Sequence, residues 1–236
     1  MLEYFKKKKI MVVVAHPDDE VLGLGGTIHK LSHEYKCNIR VIILGEGITS
    51  RSENHDTVKW KEELIIHKQN IKDSIDKVGY QSFKSFDLPD NRFDTVPLLD
   101  IIKIIEEEKN QFEPEIIFTH HGGDLNIDHK LTFQAAVTAC RPIHNEKVKC
   151  IITFETMSGT EWIPSSDPQK FIPNLFIEIT QSGLEAKIKA MESYTFEKRE
   201  FPHPRSPEAL RNKAIQVGIE NGIPLAESFR IIRLIN

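Results

Sequence analysis

The stretch VVVAHPDDEVLGLGG, residues 12–26, decides the fold. A β-branched apolar run passes straight into a histidine, a proline and three acids, Asp18, Asp19 and Glu20, before a glycine-rich turn. The run reads as a buried strand. Like charges set this close repel one another, so their place at the mouth of such a strand predicts a cation there.

Outward from this stretch, short apolar runs alternate with longer amphipathic ones, the β-α-β-α order of a parallel sheet covered by helices. The pattern predicts strands near 10–15, 39–44, 82–86, 115–119, 150–154, 175–179 and 229–234. Helices are predicted at 25–36, 56–77, 96–110, 129–140, 183–192 and 206–221. The fold class is α/β: a Rossmann-like, doubly wound, mostly parallel sheet with helices on both faces. Asp56 is the expected N-cap of the second helix and Gly79 its stop, while His67 within it carries no assigned role. Residues 159–173, with three prolines and two serines, read as a long loop that could serve as a lid. The length of 236 residues favours one domain, 1–236.

Composition narrows the classes. A chain that is 39 % hydrophobic and 28 % charged is an ordinary globular one, and no apolar run approaches the roughly 20 residues that span a bilayer. The start, MLEYFKKKKIMVVVA, copies a signal peptide superficially, but its apolar part is short and cleavage would fall at the HPDDE cluster. Lys6 to Lys9 are expected to flank the first strand in solvent. Three widely spaced cysteines, Cys37, Cys140 and Cys150, form no disulfide or zinc-ribbon pattern, which points to a reducing, cytoplasmic setting. A net charge of −4 gives no reason to expect nucleic acid as partner.

The fourth predicted strand ends in HHGGDLNIDHKLTF, a second concentration of histidines and carboxylates. In a doubly wound sheet the first and fourth strands lie close together, and ligands bind in the crevice at their carboxyl ends. His16 and Asp19, three residues apart on a tight turn, can face the same way, and His129 completes a set of two histidines and one carboxylate. Zinc takes such a set and leaves a position open in catalytic sites, although iron(II) accepts the same donors. Asp18, unligated beside the metal, reads as the general base that takes a proton from water whose pKa the cation lowers. Each acid also has an ordinary structural reading as stabiliser of a helix N-terminus.

Together AHPDDEVLGLGGTI and NIDH resemble the two signature motifs of the PIG-L/LmbE-like N-acetylglucosaminyl deacetylases, and the likeness continues through GEGITSRS, LPDNRFD and HPRSPEAL. The resemblance implies zinc on His16, Asp19 and His129, Asp18 as base, and hydrolysis of an N-acetylated sugar or glycoconjugate to acetate and a free amine. Many members carry a histidine three residues before the last ligand, where this chain has Asn126. Asp128, its partner in those members, is expected here to brace His129 or to hold the loop. A replacement acid or oxyanion donor is then needed, and His203, stiffened between Pro202 and Pro204, is the expected one, with His120 and His121 behind it. Arg51 and Arg92, on loops after strands two and three, are expected to bind substrate hydroxyls or a phosphate. Trp162 could stack on a sugar ring or anchor its loop.

Two other classes compete. A dinucleotide-binding protein is suggested by GLGG and by Glu46 after strand two, but Ile28 stands where the last glycine of GxGxxG belongs. A sugar-binding or nucleotide-binding Rossmann-like protein without catalysis would have no use for the unligated Asp18. The sequence does not specify assembly, and a homo-oligomer is compatible with it.

Overall fold

Strand β1 (Lys9–Val14) lies inside a seven-stranded sheet and is buried from Ile10 onward. The computed structural model describes residues 2–235; Met1 and Asn236, the ends of the expected 1–236 unit, lie outside the described residues. After the short helix α1 (Leu2–Phe5) and β1 come α2 (Asp19–His33), β2 (Asn38–Gly45), α3 (Lys61–Val78), β3 (Ser82–Leu88) and α4 (Leu98–Phe112). The chain continues through β4 (Ile116–His120), α5 (Ile127–Ala139), β5 (Cys150–Phe154), β6 (Leu175–Glu178), α6 (Gln181–Ser193), α7 (Pro207–Glu220) and β7 (Ala226–Leu234).

The strand order is β3-β2-β1-β4-β5-β7-β6, parallel from β3 through β5 and antiparallel for β7 and β6. From β1 the chain winds outward through β2 and β3, then returns to place β4 on the other side of β1, pairing Val13 with Thr119. That reversal opens a crevice at the carboxyl ends of β1 and β4.

Side chains of the central strands alternate between two cores, as the two-residue period of a strand requires. Ile10, Val12 and Val14 join Ile28, Ile71, Leu184 and Leu210 on the face covered by α2, α3, α6 and α7. Met11, Val13 and Ala15 join Ile101, Ile105 and Ala136 on the face of α4 and α5. The near-continuous apolar reading of VVVA reflects this double burial.

Two helix starts differ from the sequence expectation. The glycine-rich turn is helical: α2 begins at Asp19, and Leu24 alone leaves helical angles (φ −150°, ψ 23°), splitting the helix in two. Its second segment is the helix expected from residue 25. The N–H groups of Gly26 and Thr27, freed by the break, donate to the Glu227 carboxylate at 3.2 and 2.7 Å, and Lys187 neutralises that carboxylate from 2.6 Å. Helix α3 starts at Lys61 rather than Asp56, because Asp56 Oδ1 accepts the Lys59 N–H in a preceding turn. Its stop is Gly79, at φ 85°, a conformation open to glycine at little cost. Cys37, Cys140 and Cys150 are buried and unbridged. No helix among the described residues is long and apolar enough to cross a membrane.

Candidate metal and active site

The three acids of HPDDE have three different fates. Asp18 adopts φ 107°, turning the chain sharply between β1 and α2, and its carbonyl accepts the N–H groups of Val21 and Leu22. Asp19 points back under the turn, where its Oδ2 accepts the His16 N–H at 2.8 Å. Glu20 turns inward to Tyr194, Ser74 and the Asp18 N–H, and burial lifts its carboxyl to about 7. Glu20 therefore holds the turn and never reaches the crevice.

Helix α5 brings the third donor. Asn126 caps it by accepting the Asp128 N–H, which sets His129 on the first turn facing β1. His129 Nε2 lies 3.4 Å from Asp19 Oδ1, and His16 Nδ1 lies 3.5 Å from Asp19 Oδ2. Donor atoms of His16, Asp19 and His129 all lie within 4.8 Å of one another, so one divalent ion can touch all three. The far nitrogens of the two imidazoles face carboxylates: His16 Nε2 donates to Asp128 Oδ2 at 2.9 Å, whereas His129 Nδ1 approaches Asp124 Oδ1 at 3.1 Å as a charge pair without hydrogen-bond alignment. The bond to Asp128 leaves Nδ1 of His16 free for a metal, and His129 turns its Nε2 toward Asp19 with the Asp124 charge behind it. A second grouping, His16 with Asp90 and Asp128, uses the nitrogen already committed to Asp128 and so reads as part of this bracing.

The electrostatics suit a cation. Burial opposes the ionisation of Asp19, yet the His129 imidazole beside it holds its carboxyl well below the usual range. Burial likewise opposes a charge on His129, but Asp19 and Asp124 raise it to about 9. A metal ion would take the place of the protons these groups attract. His120 is differently occupied. Its Nε2 accepts the Ala15 N–H at 3.0 Å, its Nδ1 faces Thr156 Oγ1 at 3.0 Å, and its ring stacks on His129 at 3.9 Å. With both nitrogens engaged, it supports His129 and offers no lone pair.

A cleft of about 270 Å³ opens over these donors, walled by His16, Asp18, His129, Arg51, Glu197 and Arg205 among others. Asp18 is buried, and desolvation raises its carboxyl well above the ordinary value, with Arg205 pulling the other way. Arg205 Nη1 donates to Asp18 Oδ2 at 3.1 Å and to Glu197 Oε2 at 2.7 Å. Glu197 also pairs with Arg51.

Arg92 and His203 stand off the cleft wall. The Arg92 guanidinium donates to the carbonyls of Ser52 and Glu53, pinning the loop after β2. His203 accepts the Arg205 N–H at Nδ1 and sets its ring edge-on to Trp162, 6.0 Å between centroids. Asp128 serves His16 rather than His129, and Asn126 Nδ2 donates to Asn91 Oδ1. His121 donates to the Gln169 carbonyl at 2.6 Å, tethering the long loop. Glu46, where a dinucleotide-binding protein would hold a ribose, accepts the N–H groups of Ile48, Thr49 and Asp90 instead. The sequence reading missed Arg205, inside HPRSP, and Asp124, inside HHGGDLNIDH; nothing in the spacing marks either one.

Residues 11–140 match the family model of PIG-L, GlcNAc-PI de-N-acetylase, and so span both donor clusters. The chain belongs to the PIG-L family. YaiS of Escherichia coli (strain K12), described as an uncharacterized deacetylase, is 25 % identical over 194 residues, 80 % of this PIG-L chain and 91 % of YaiS. The N,N'-diacetylchitobiose deacetylase of Pyrococcus horikoshii superposes with a TM-score of 0.72 at 21 % identity, covering 98 % of this chain and 86 % of its own. GalB, the 4-carboxy-2-hydroxymuconate hydratase of Pseudomonas putida KT2440, superposes with a TM-score of 0.71 at 20 % identity, covering 97 % and 98 %. At these identities the superpositions speak for a shared fold, on which relatives run different reactions.

Proposed function

We propose that this PIG-L protein is a zinc-dependent N-deacetylase that removes the acetyl group from an N-acetylated amino sugar or its glycoconjugate, residues 1–236 acting as one catalytic unit. The observation that carries the reading is Asp18, a buried and unligated carboxylate, beside three convergent metal donors, two of them imidazoles backed by the carboxylates of Asp128 and Asp124. A binding module needs no such group. The cleft, near the lower end of the roughly 300–1,000 Å³ usual for ligand pockets, suits one sugar ring and leaves the remainder of a conjugate outside.

His16, Asp19 and His129 would hold the ion, and two imidazoles with one carboxylate suit zinc, which when bound polarises a carbonyl and lowers the pKa of water. Asp18 takes the proton from the attacking water and holds it until the amine departs. Asp18 then returns the proton to the leaving nitrogen, since it faces the cleft whereas His203 does not. Asn126 and Asp128 set the pitch of α5 and the orientation of His16. Arg51 lines the cleft and meets substrate hydroxyls, while Arg92 acts through the loop it pins.

The test is acetate release from a panel of N-acetylhexosamine derivatives by the zinc-loaded protein, with a chelated control. Acetate formed only with metal supports the reading. Substrate binding without acetate would make the protein a binding module.

A further inference from the structure

Hydrolysis of an acetamide places negative charge on the carbonyl oxygen, and that charge needs a donor aimed at it from the protein. Asn126 is committed to capping α5 and to Asn91, and His203 stands off the cleft wall. Arg205 has what both lack. Of its five guanidinium N–H groups, Nε–H donates to Ser158 Oγ at 2.7 Å, and Nη1 donates to Asp18 and Glu197. Its Nη2, with two N–H groups, has no partner among the described residues, and the side chain is part of the cleft wall. Three anchors on one rigid fork leave little entropy to lose when the free end engages a ligand.

We propose that Arg205 is a catalytic residue whose Nη2 donates to the acetamide oxygen as it becomes an oxyanion. The proposal rests on the deacetylase reading above. In the first step the water oxygen bonds to the carbonyl carbon, Asp18 takes the water proton, and the C=O π pair moves onto the oxygen facing Arg205. In the second step the pair returns, the C–N bond breaks with its electrons going to nitrogen, and the Asp18 proton joins that nitrogen. Acetic acid and a free amine result, and the acid's remaining proton passes to the amine or to solvent, so the products leave as acetate and an ammonium. A guanidinium keeps its own protons throughout, so Arg205 stabilises charge and transfers nothing.

The experiment compares the wild type with R205M and R205K, each zinc-loaded and checked for metal content and melting temperature. The readouts are kcat and KM for acetate release, and the affinity of a tetrahedral methylphosphonamidate analogue of the same sugar. The expected result for R205M is a fall in kcat of about 10²–10³-fold, with KM within about threefold and a similarly large loss of analogue affinity. R205K keeps a charge beside Asp18 but lacks the fork, so it should also lose kcat and analogue affinity; it decides the matter if R205M does not fold. A variant that keeps wild-type kcat, or that weakens KM and analogue binding equally, overturns the proposal. A wild type that releases no acetate overturns the deacetylase reading, and this inference with it.

Discussion

Asp128 precedes His129 in the chain yet serves His16, with Oδ2 2.9 Å from His16 Nε2. The same carboxylate accepts the N–H groups of Asn91 and Phe93, so one side chain on α5 ties the β1 turn to the loop after β3. His129 has Asp124 behind it instead, a charge-pair approach from the loop before the helix. Asp124 also accepts from Asn126 N–H and Thr160 Oγ1, linking the brace to the long loop after β5.

Replacing Asp124 by Asn keeps the shape but removes the negative charge behind His129. Loss of such a partner weakens metal binding by about 10–100-fold. The D124N variant should show that loss in competition titration against a chelator, while circular dichroism stays native. D128N is a harsher change, because an amide cannot accept from three N–H groups with a single oxygen. Equal metal affinities for D124N and the wild type would remove Asp124 from the site.

Asp18 combines a chemical role with an unusual backbone angle, and two substitutions separate them. At φ 107° asparagine is tolerated, whereas alanine pays roughly 1–2 kcal/mol. D18N should retain stoichiometric zinc and a near-native melting temperature, while acetate release drops by about 10²–10⁴-fold. D18A should lose the same activity and melt earlier. Full activity in D18N would assign the base elsewhere.

The sheet was legible because its strands are near-continuous apolar runs, and the three donors were legible because histidine and aspartate cluster at two strand ends. Asp124 and Arg205 were not, for a geometric reason. Arg205 reaches Asp18 across 187 positions of sequence, through a loop whose course depends on Ser158 and Glu197, and local pattern says nothing about such distances. The start of α2 was misplaced because GLGG suggests a turn by composition, whereas those glycines serve close packing.

Gly23 shows that packing most directly. A Cβ built there would lie 2.2 Å from Phe154 Cδ2, on the neighbouring strand β5. Overpacking of a core costs about 1–3 kcal/mol and more where a ring cannot retreat, and Phe154 is fully buried. G23A should lower the unfolding free energy by an amount in or above that range, read as a lower urea midpoint. An unchanged midpoint would mean that α2 shifts freely on the sheet.

His203 carries the opposite expectation to Arg205. Its ring packs edge-on to Trp162 and takes the Arg205 N–H, leaving it outside the cleft. H203A should change kcat by less than about threefold, with the larger effect on KM if the Trp162 loop loosens. A fall in kcat beyond about 10²-fold at unchanged KM would restore His203 as the proton donor.

His67 is 2 % exposed, and neither ring nitrogen has a hydrogen-bond partner among the described residues. It packs edge-on to Tyr194 and Phe196, and burial lowers its pKa from 6.5 to about 4. The unfolded chain therefore binds this proton more readily than the folded one. Its contribution to stability is fully present above pH 6.5, falls as the pH drops toward 4, and levels off below that. The shift corresponds to about 3 kcal/mol across the window. Phenylalanine keeps a ring against the two aromatics and cannot take up the proton. Urea unfolding of metal-free H67F at pH 7.5 and pH 5 should therefore show a smaller loss of stability on acidification than the wild type. Equal losses in the two proteins would place the acid sensitivity on other groups, His120 foremost, since burial also lowers its pKa to about 4.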